Sequence, residues 1–292
     1  MLILISDAFD ESLPKVLSKY GEVTQDKNRL AEAEIILVRS KTKATKEYID
    51  QAKKLKLIIR GGVGLDNIDV AHAEKKAVKV HNTADASTTA VAELTFAMMI
   101  ALPNHLIQAH NSMKEGKWLK SELERTELMG KTLGILGMGR IGTALAIRAR
   151  AFGMRVLAWK PLVYFSDFAV IVNDLKDVLA QSDYVTMHMP IVESTRGIIN
   201  KKTLSQMKRG AYLINTGRGE CVVEEDIVEA LRSGQLGGYA TDVWHSDPPL
   251  NSPLINAPNT LLLPHLGAST EENMIRIGEV VEKIIQEFTG KS

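Results

Sequence analysis

A chain of 292 residues, 45% of them hydrophobic, has apolar material for roughly two buried cores. A net charge of +1 argues against a broad field suited to nucleic acid or an anionic membrane. The one cysteine, Cys221, excludes an intramolecular disulfide, gives no metal cluster and fits a reducing cytoplasm. The opening run, 1–5, is too short for a signal or a span, and Asp7 follows it. A longer apolar patch, 97–102, is bracketed by Glu93 and Pro103, so no transmembrane helix is expected.

Residues 2–5 read as a first strand, and Leu13, Val16 and Leu17 as a short amphipathic helix. Residues 35–38 form a second buried strand, followed by the turn 39–43 and a helix carrying Tyr48, Ile49 and Ala52. A strand at 57–59 runs into the glycine-rich stretch 60–67, and another at 78–80 ends at His81-Asn82. This alternation argues for a small α/β domain with a parallel sheet. Ser87 and Thr88 suit the start of a long helix through Val91, Leu94, Met98 and Met99, which Pro103 breaks or kinks. A second helical segment covers 106–113, and the crossover into the next domain is expected near Ala101.

That domain is organised around Gly130 to Gly142. The apolar run 133–136 reads as a buried strand, Gly137, Gly139 and Gly142 form G-x-G-x-x-G, and a helical pattern follows. Between a strand and a helix this is a dinucleotide fingerprint: a tight turn, close backbone approach to a pyrophosphate, and close helix–strand packing. The free N–H groups at a helix start attract the phosphates. Further strands are expected at 155–159, 169–172, 184–187, 211–214, 238–242 and 260–263, which makes a doubly wound sheet. The last helix, about 270–288, starts with the capping-box pattern Ser269 to Glu272. If it returns to the first domain, residues 1–100 with 270–292 form a substrate domain and 101–269 the dinucleotide domain, with a cleft between the lobes.

Three clusters follow strands of the second domain: 215–219, 242–249 and 264–268. Such sheets bind ligands beyond the carboxyl ends of their strands. Arg218, between two glycines, suits a two-pronged grip on a carboxylate. His265 suits proton transfer near neutral pH, and Asp247 supplies a carboxylate to tune it. Together they offer a substrate anchor, a proton carrier and its partner.

At these motifs the chain resembles the D-isomer-specific 2-hydroxyacid dehydrogenases, the phosphoglycerate-oxidising branch above all. The resemblance covers almost the whole chain, including 39–43, 60–69, 91–94, 116–118, 130–142, 215–219, 242–249 and 264–270. It implies two Rossmann-like doubly wound domains, NAD as cofactor, a small phosphorylated or plain 2-hydroxy acid as substrate, and oxidation of 3-phosphoglycerate at the start of serine biosynthesis. It implies that Arg218 binds the substrate carboxylate, and that His265, paired with Asp247, carries the C2 hydroxyl proton. Gly137, Gly139, Arg140, Ile141, Gly142, Lys160, Met189, Pro190, Thr216, Gly217, Asp242, Gly267 and Ala268 stand at cofactor-binding positions. Arg39 and Arg60 match arginines that grip a substrate phosphate, and Gly62, Val63 and Gly64 match backbone that holds the carboxylate. No metal is implied. The helical segment from Leu106 to Trp118 resembles a dimer arm, so a homodimer is expected.

Three positions depart from the family pattern. Asp247 replaces a glutamate one methylene longer. Lys160 stands where an acid usually meets the adenosine ribose, which leaves NADP as an alternative cofactor, with Asp167 as a substitute acid. Pro103-Asn104-His105 stands where phosphoglycerate enzymes often carry an arginine. The alternatives are a glyoxylate or hydroxypyruvate reductase and, in another class, a dinucleotide-sensing binding protein.

Overall fold

The computed structural model describes residues 1–159 and 165–290. The chain folds as two compact units, Met1–Ala90 with the C-terminal segment from Ala268, and Val91–Gly267.

Among the described residues the first unit has five strands: β1 (Leu2–Ile5), β2 (Glu22–Thr24), β3 (Ile35–Val38), β4 (Leu57–Arg60) and β5 (Lys79–Asn82). All pair in parallel, in the order β2-β1-β3-β4-β5. The inner strands β1, β3 and β4 are apolar at every position but the last of β4, Arg60, because both faces are covered. Ile3 and Ile5 pack with Leu13, Leu17, Ile277, Val281 and Ile285 on one face. Leu4, Ile36 and Val38 pack with Ile49 and Ala73 on the other. The final helix, Glu271–Thr289, thus completes the core of the first unit. Its cap is Thr270 rather than Ser269: the Thr270 backbone is extended and its hydroxyl accepts from Asn273 N–H at 3.1 Å. One strand has no counterpart among those expected: β2, a three-residue edge strand with no apolar run.

The second unit carries β6 (Thr132–Leu136), β7 (Arg155–Trp159), β8 (Val170–Val172), β9 (Tyr184–Met187), β10 (Ala211–Asn215), β11 (Leu236–Thr241) and β12 (Thr260–Leu262). Among the described residues they form one parallel sheet ordered β12-β11-β10-β9-β6-β7-β8. This is the doubly wound order, and its switch point lies between β6 and β9, where such sheets receive a dinucleotide. The crossover falls between Ala90 and Val91 rather than near Ala101. The reason is packing: Ala92, Phe96, Met98 and Met99 of the helix Thr88–Ala101 lie in one core with Leu133, Ile135 and Ala146. That helix ends at Ala101, and the next, Leu106–Lys114, leaves at 65°. Among the described residues no single helix is long and apolar enough to cross a membrane.

Candidate active site

The three fingerprint glycines have three different reasons to be glycine. Gly137 has φ +104°, and a Cβ there would press on the His188 carbonyl at 2.8 Å. A Cβ on Gly142 would meet the Gly137 carbonyl oxygen at 2.5 Å. Gly139 differs: it opens the helix Arg140–Ala151 without a side-chain cap, and a Cβ there would meet nothing within 4 Å. Open space before an uncapped helix start fits a bound pyrophosphate. Ile141 packs half-buried against the core beneath.

The end of β9 supplies the facing wall. Met189 is itself a buried core residue, and the Pro190 carbonyl accepts from the Thr195 hydroxyl at 2.7 Å. Lys160 lies outside the described residues. Asp167 is exposed, and its backbone carbonyl accepts from the Arg150 guanidinium.

Register brings the reactive loops together. Asn215 lies opposite Thr241, and Thr241 opposite Leu262, so the chain leaves β10, β11 and β12 at one level. After β10, the Asn215 side chain ties the turn to itself. Its Oδ1 accepts from Gly217 N–H at 3.0 Å, and its Nδ2 donates to the Arg218 carbonyl at 2.9 Å. Thr216 faces inward, 2.8 Å from the Thr95 hydroxyl. Arg218 is half-buried, with Nη1 donating to the Gly217 carbonyl at 2.8 Å. Gly219 leaves no room for a side chain, because a Cβ would overlap the Trp244 backbone after β11.

Asp242, 2% exposed, ties the loop after β12 to the end of β11. Its carboxylate accepts from Leu266 N–H at 2.6 Å and Gly267 N–H at 2.7 Å. Burial pushes its carboxyl above the usual range, and those two N–H groups pull the other way. Gly267 is needed for the approach, since a Cβ there would stand 3.0 Å from Asp242 Oδ2. Just before this clamp, His265 adopts a left-handed backbone, φ +58°. Its Nδ1 meets Asp247 Oδ2 at 2.5 Å. The shorter aspartate therefore reaches the histidine. With the carboxylate accepting at Nδ1, the ring's other nitrogen, Nε2, is the one left for a proton in transit.

In the first unit, Val38 pairs with Arg60, so Arg39 and Arg60 stand at the carboxyl ends of neighbouring strands. Asp7 accepts from Arg39 N–H at 2.6 Å, and the guanidinium makes long contacts to the carbonyls of Ala8 and Ala268, 3.4 and 3.5 Å. Burial pulls this guanidinium below its ordinary pKa. The Ala268 carbonyl also accepts from Asn273 at 2.8 Å. Gly62 has φ +143° and donates to the Thr83 hydroxyl at 2.8 Å, and the Arg60 guanidinium occupies the space a Cβ would need. Val63 is exposed, with its carbonyl held by Asn82, and Gly64 follows half-buried. No acidic, histidine or cysteine cluster suited to a metal occurs among the described residues.

Two partnerships escape the sequence reading. Asn104, at the position of the missing arginine, accepts from Arg125 Nε at 2.8 Å. His188 lies within reach of Thr216, with the end of a predicted strand as its only signal.

Known proteins share this chain's sequence pattern and fold. The family profile described as D-isomer specific 2-hydroxyacid dehydrogenase, NAD binding domain, matches residues 96–267. Hydroxypyruvate reductase of Thermotoga maritima is 42% identical over 278 residues, 94% of this chain and 91% of that one. D-3-phosphoglycerate dehydrogenase of Methanocaldococcus jannaschii is 38% identical across 97% of this chain, which spans 56% of that longer protein. The crystal structure of D-lactate dehydrogenase from Aquifex aeolicus, complexed with NAD and lactic acid, superposes with a TM-score of 0.88. It is 30% identical, over 99% of this chain and 96% of that one. The profile alone takes in more than half of the sequence, and the chain belongs to the D-isomer-specific 2-hydroxyacid dehydrogenases, an NAD-dependent family of oxidoreductases.

Proposed function

We propose that this dehydrogenase interconverts 3-phosphoglycerate and 3-phosphohydroxypyruvate, the entry reaction of serine biosynthesis. The observation that carries the reaction is the 2.5 Å contact between His265 Nδ1 and Asp247, at the same sheet edge as Arg218. Arg218 takes the substrate carboxylate with its planar fork and polarises the C2 oxygen. His265, oriented by Asp247, accepts the C2 hydroxyl proton at Nε2 as hydride leaves C2. In reduction it returns that proton to the C2 oxygen. The Gly137–Gly142 turn and the helix start at Arg140 hold the cofactor's phosphates, while Thr216, Gly217, Asp242 and Gly267 form the wall beside its reactive end. NAD, when bound, supplies the hydride acceptor.

The phosphate assignment rests on Arg39 and Arg60. The Arg39 guanidinium is half-buried and its contacts to carbonyls are long, so its donors suit an anion. Hydroxypyruvate or glyoxylate is the second reading. It is favoured by the Thermotoga maritima relative, which matches over nearly its whole length, and by Asn104 where an arginine is common. A homodimer fits the exposed Leu106, Ile107, Met113 and Trp118.

Initial rates of reduction with 3-phosphohydroxypyruvate and hydroxypyruvate, each with NADH and NADPH, test the reading. We expect the phosphorylated acid and NADH to give the highest kcat/KM. Arg39→Ala should raise KM for the phosphorylated acid alone. Indifference to the phosphate would favour the second reading, and a preference for NADPH would overturn the cofactor assignment.

A further inference from the structure

His188 has no part in the mechanism above, yet it follows β9 at the switch point of the sheet. Its backbone N–H donates to the Leu136 carbonyl at 2.8 Å, and its own carbonyl lies under the Gly137 turn. Its ring Nε2 is buried and has no hydrogen-bond partner among the described residues. Burial holds the imidazole neutral, with its pKa pushed down to about 4.

A neutral imidazole carries one N–H, and the neighbouring hydroxyls decide which nitrogen bears it. The Thr95 hydroxyl donates to the Val91 carbonyl at 2.7 Å, an acceptor that leaves no choice of direction. That uses the only proton on Thr95, so its oxygen must accept from Thr216, 2.8 Å away. The proton of Thr216 is then used as well. Its oxygen must accept from His188 Nδ1, at 3.4 Å. The chain therefore runs one way, from His188 Nδ1–H through Thr216 and Thr95 to the carbonyl of Val91. It leaves Nε2 as a bare acceptor, and a buried acceptor without a partner is less unfavourable than a buried N–H without one.

We infer that His188 is a positioning residue: through Nδ1–H it fixes the Thr216 hydroxyl, and so sets the turn that carries Gly217 and Arg218. The consequence for turnover rests on the function proposed for that turn. The direction of the hydrogen bonds does not, and can be read without cofactor.

The first measurement is the tautomer of His188 in the cofactor-free protein, from nitrogen-15 shifts of the labelled imidazole. The Nδ1–H form is expected, and the Nε2–H form would overturn the inference. The second uses paired substitutions. His188→Asn keeps an amide donor close to the Nδ1 position, His188→Gln moves it one bond further out, and His188→Leu removes it. NADH affinity by fluorescence, and kcat and KM for the 2-oxo acid, are read beside the thermal midpoint of each cofactor-free variant. His188→Leu should weaken NADH binding or raise KM by about 3- to 10-fold, the loss of one hydrogen bond. His188→Asn should recover most of that and His188→Gln should not. Thr216→Val combined with His188→Leu should cost no more than the larger single change. If Asn and Gln behave alike, or the double change is additive, the inference fails. If His188→Leu does not fold, the Asn and Gln variants still decide. A wild-type protein that binds no NADH would count against the proposed function and leave the tautomer result standing.

Discussion

In the proposed reaction Asp247 and His265 carry the proton, and one methylene less on the acid does not prevent their contact. Replacing His265 with Gln should lower kcat by roughly 10²–10⁴, the usual worth of a positioned acid–base group, and leave NADH affinity nearly unchanged. Asp247→Asn should cost less than that, and Asp247→Glu should retain activity. Equal losses of turnover and NADH binding in the His265 variant would show a structural role instead. His188 gives a separate prediction in pH. Its folded pKa of about 4 lies below the ordinary 6.5, so between those values the unfolded chain binds more protons than the folded one. Stability from this group is complete above pH 6.5 and is lost as pH falls toward 4. Relative to His188→Asn, the wild type should lose up to about 3 kcal/mol over that window in urea titrations. A constant difference across pH would mean the ring is not buried neutral. Arg218, Asp247 and His265 are legible in the sequence because each follows an apolar run that ends a strand. His188 is not, since its partner's bond to Thr95 spans 121 positions and no local pattern records it.

At the scale of elements, the site depends on loops held at one level by the β10, β11 and β12 register and tied to one another by buried groups. Asp242 is the main tie. Changing it to Asn leaves one acceptor oxygen for two N–H groups, those of Leu266 and Gly267. The variant should lose about 1–3 kcal/mol of stability and exchange those two amides faster. It should also lower kcat, because the left-handed backbone of His265, worth about 1–2 kcal/mol of strain, depends on the residues after it. Unchanged exchange at both amides would show that the loop is held elsewhere. The sequence reading finds these strands through their apolar runs, and it places Asp242 among the cofactor residues. It cannot show that both carboxylate oxygens hold backbone, because that depends on a loop 24 and 25 positions away. The same limit explains β2, whose exposed edge needs no apolar run, and the shift of the last helix cap from Ser269 to Thr270.

For the whole molecule, alternation of strand and helix and the glycine fingerprint are enough to read two parallel-sheet units, and the two sheets bear this out. The division between them is harder to read. A long apolar helix, Thr88–Ala101, gives no local sign of which core it joins until Phe96, Met98 and Met99 are seen beside Leu133 and Ile135. The helix after it raises the remaining question, because Leu106, Ile107 and Met113 are 46%, 57% and 55% exposed and Trp118 is 72% exposed. Leu106 and Met113 stand seven positions apart, on one face of the helix Leu106–Lys114. Apolar side chains gathered on one exposed helix and the turn beyond it mark an association surface. In the proposed homodimer they are covered by the second copy. Light scattering at micromolar concentration should give twice the mass of one chain for the wild type. Leu106→Glu with Met113→Glu should give the mass of a single chain, with a lower thermal midpoint and preserved NADH binding. A wild type that scatters as one chain would remove the dimer and leave this apolar face without an explanation.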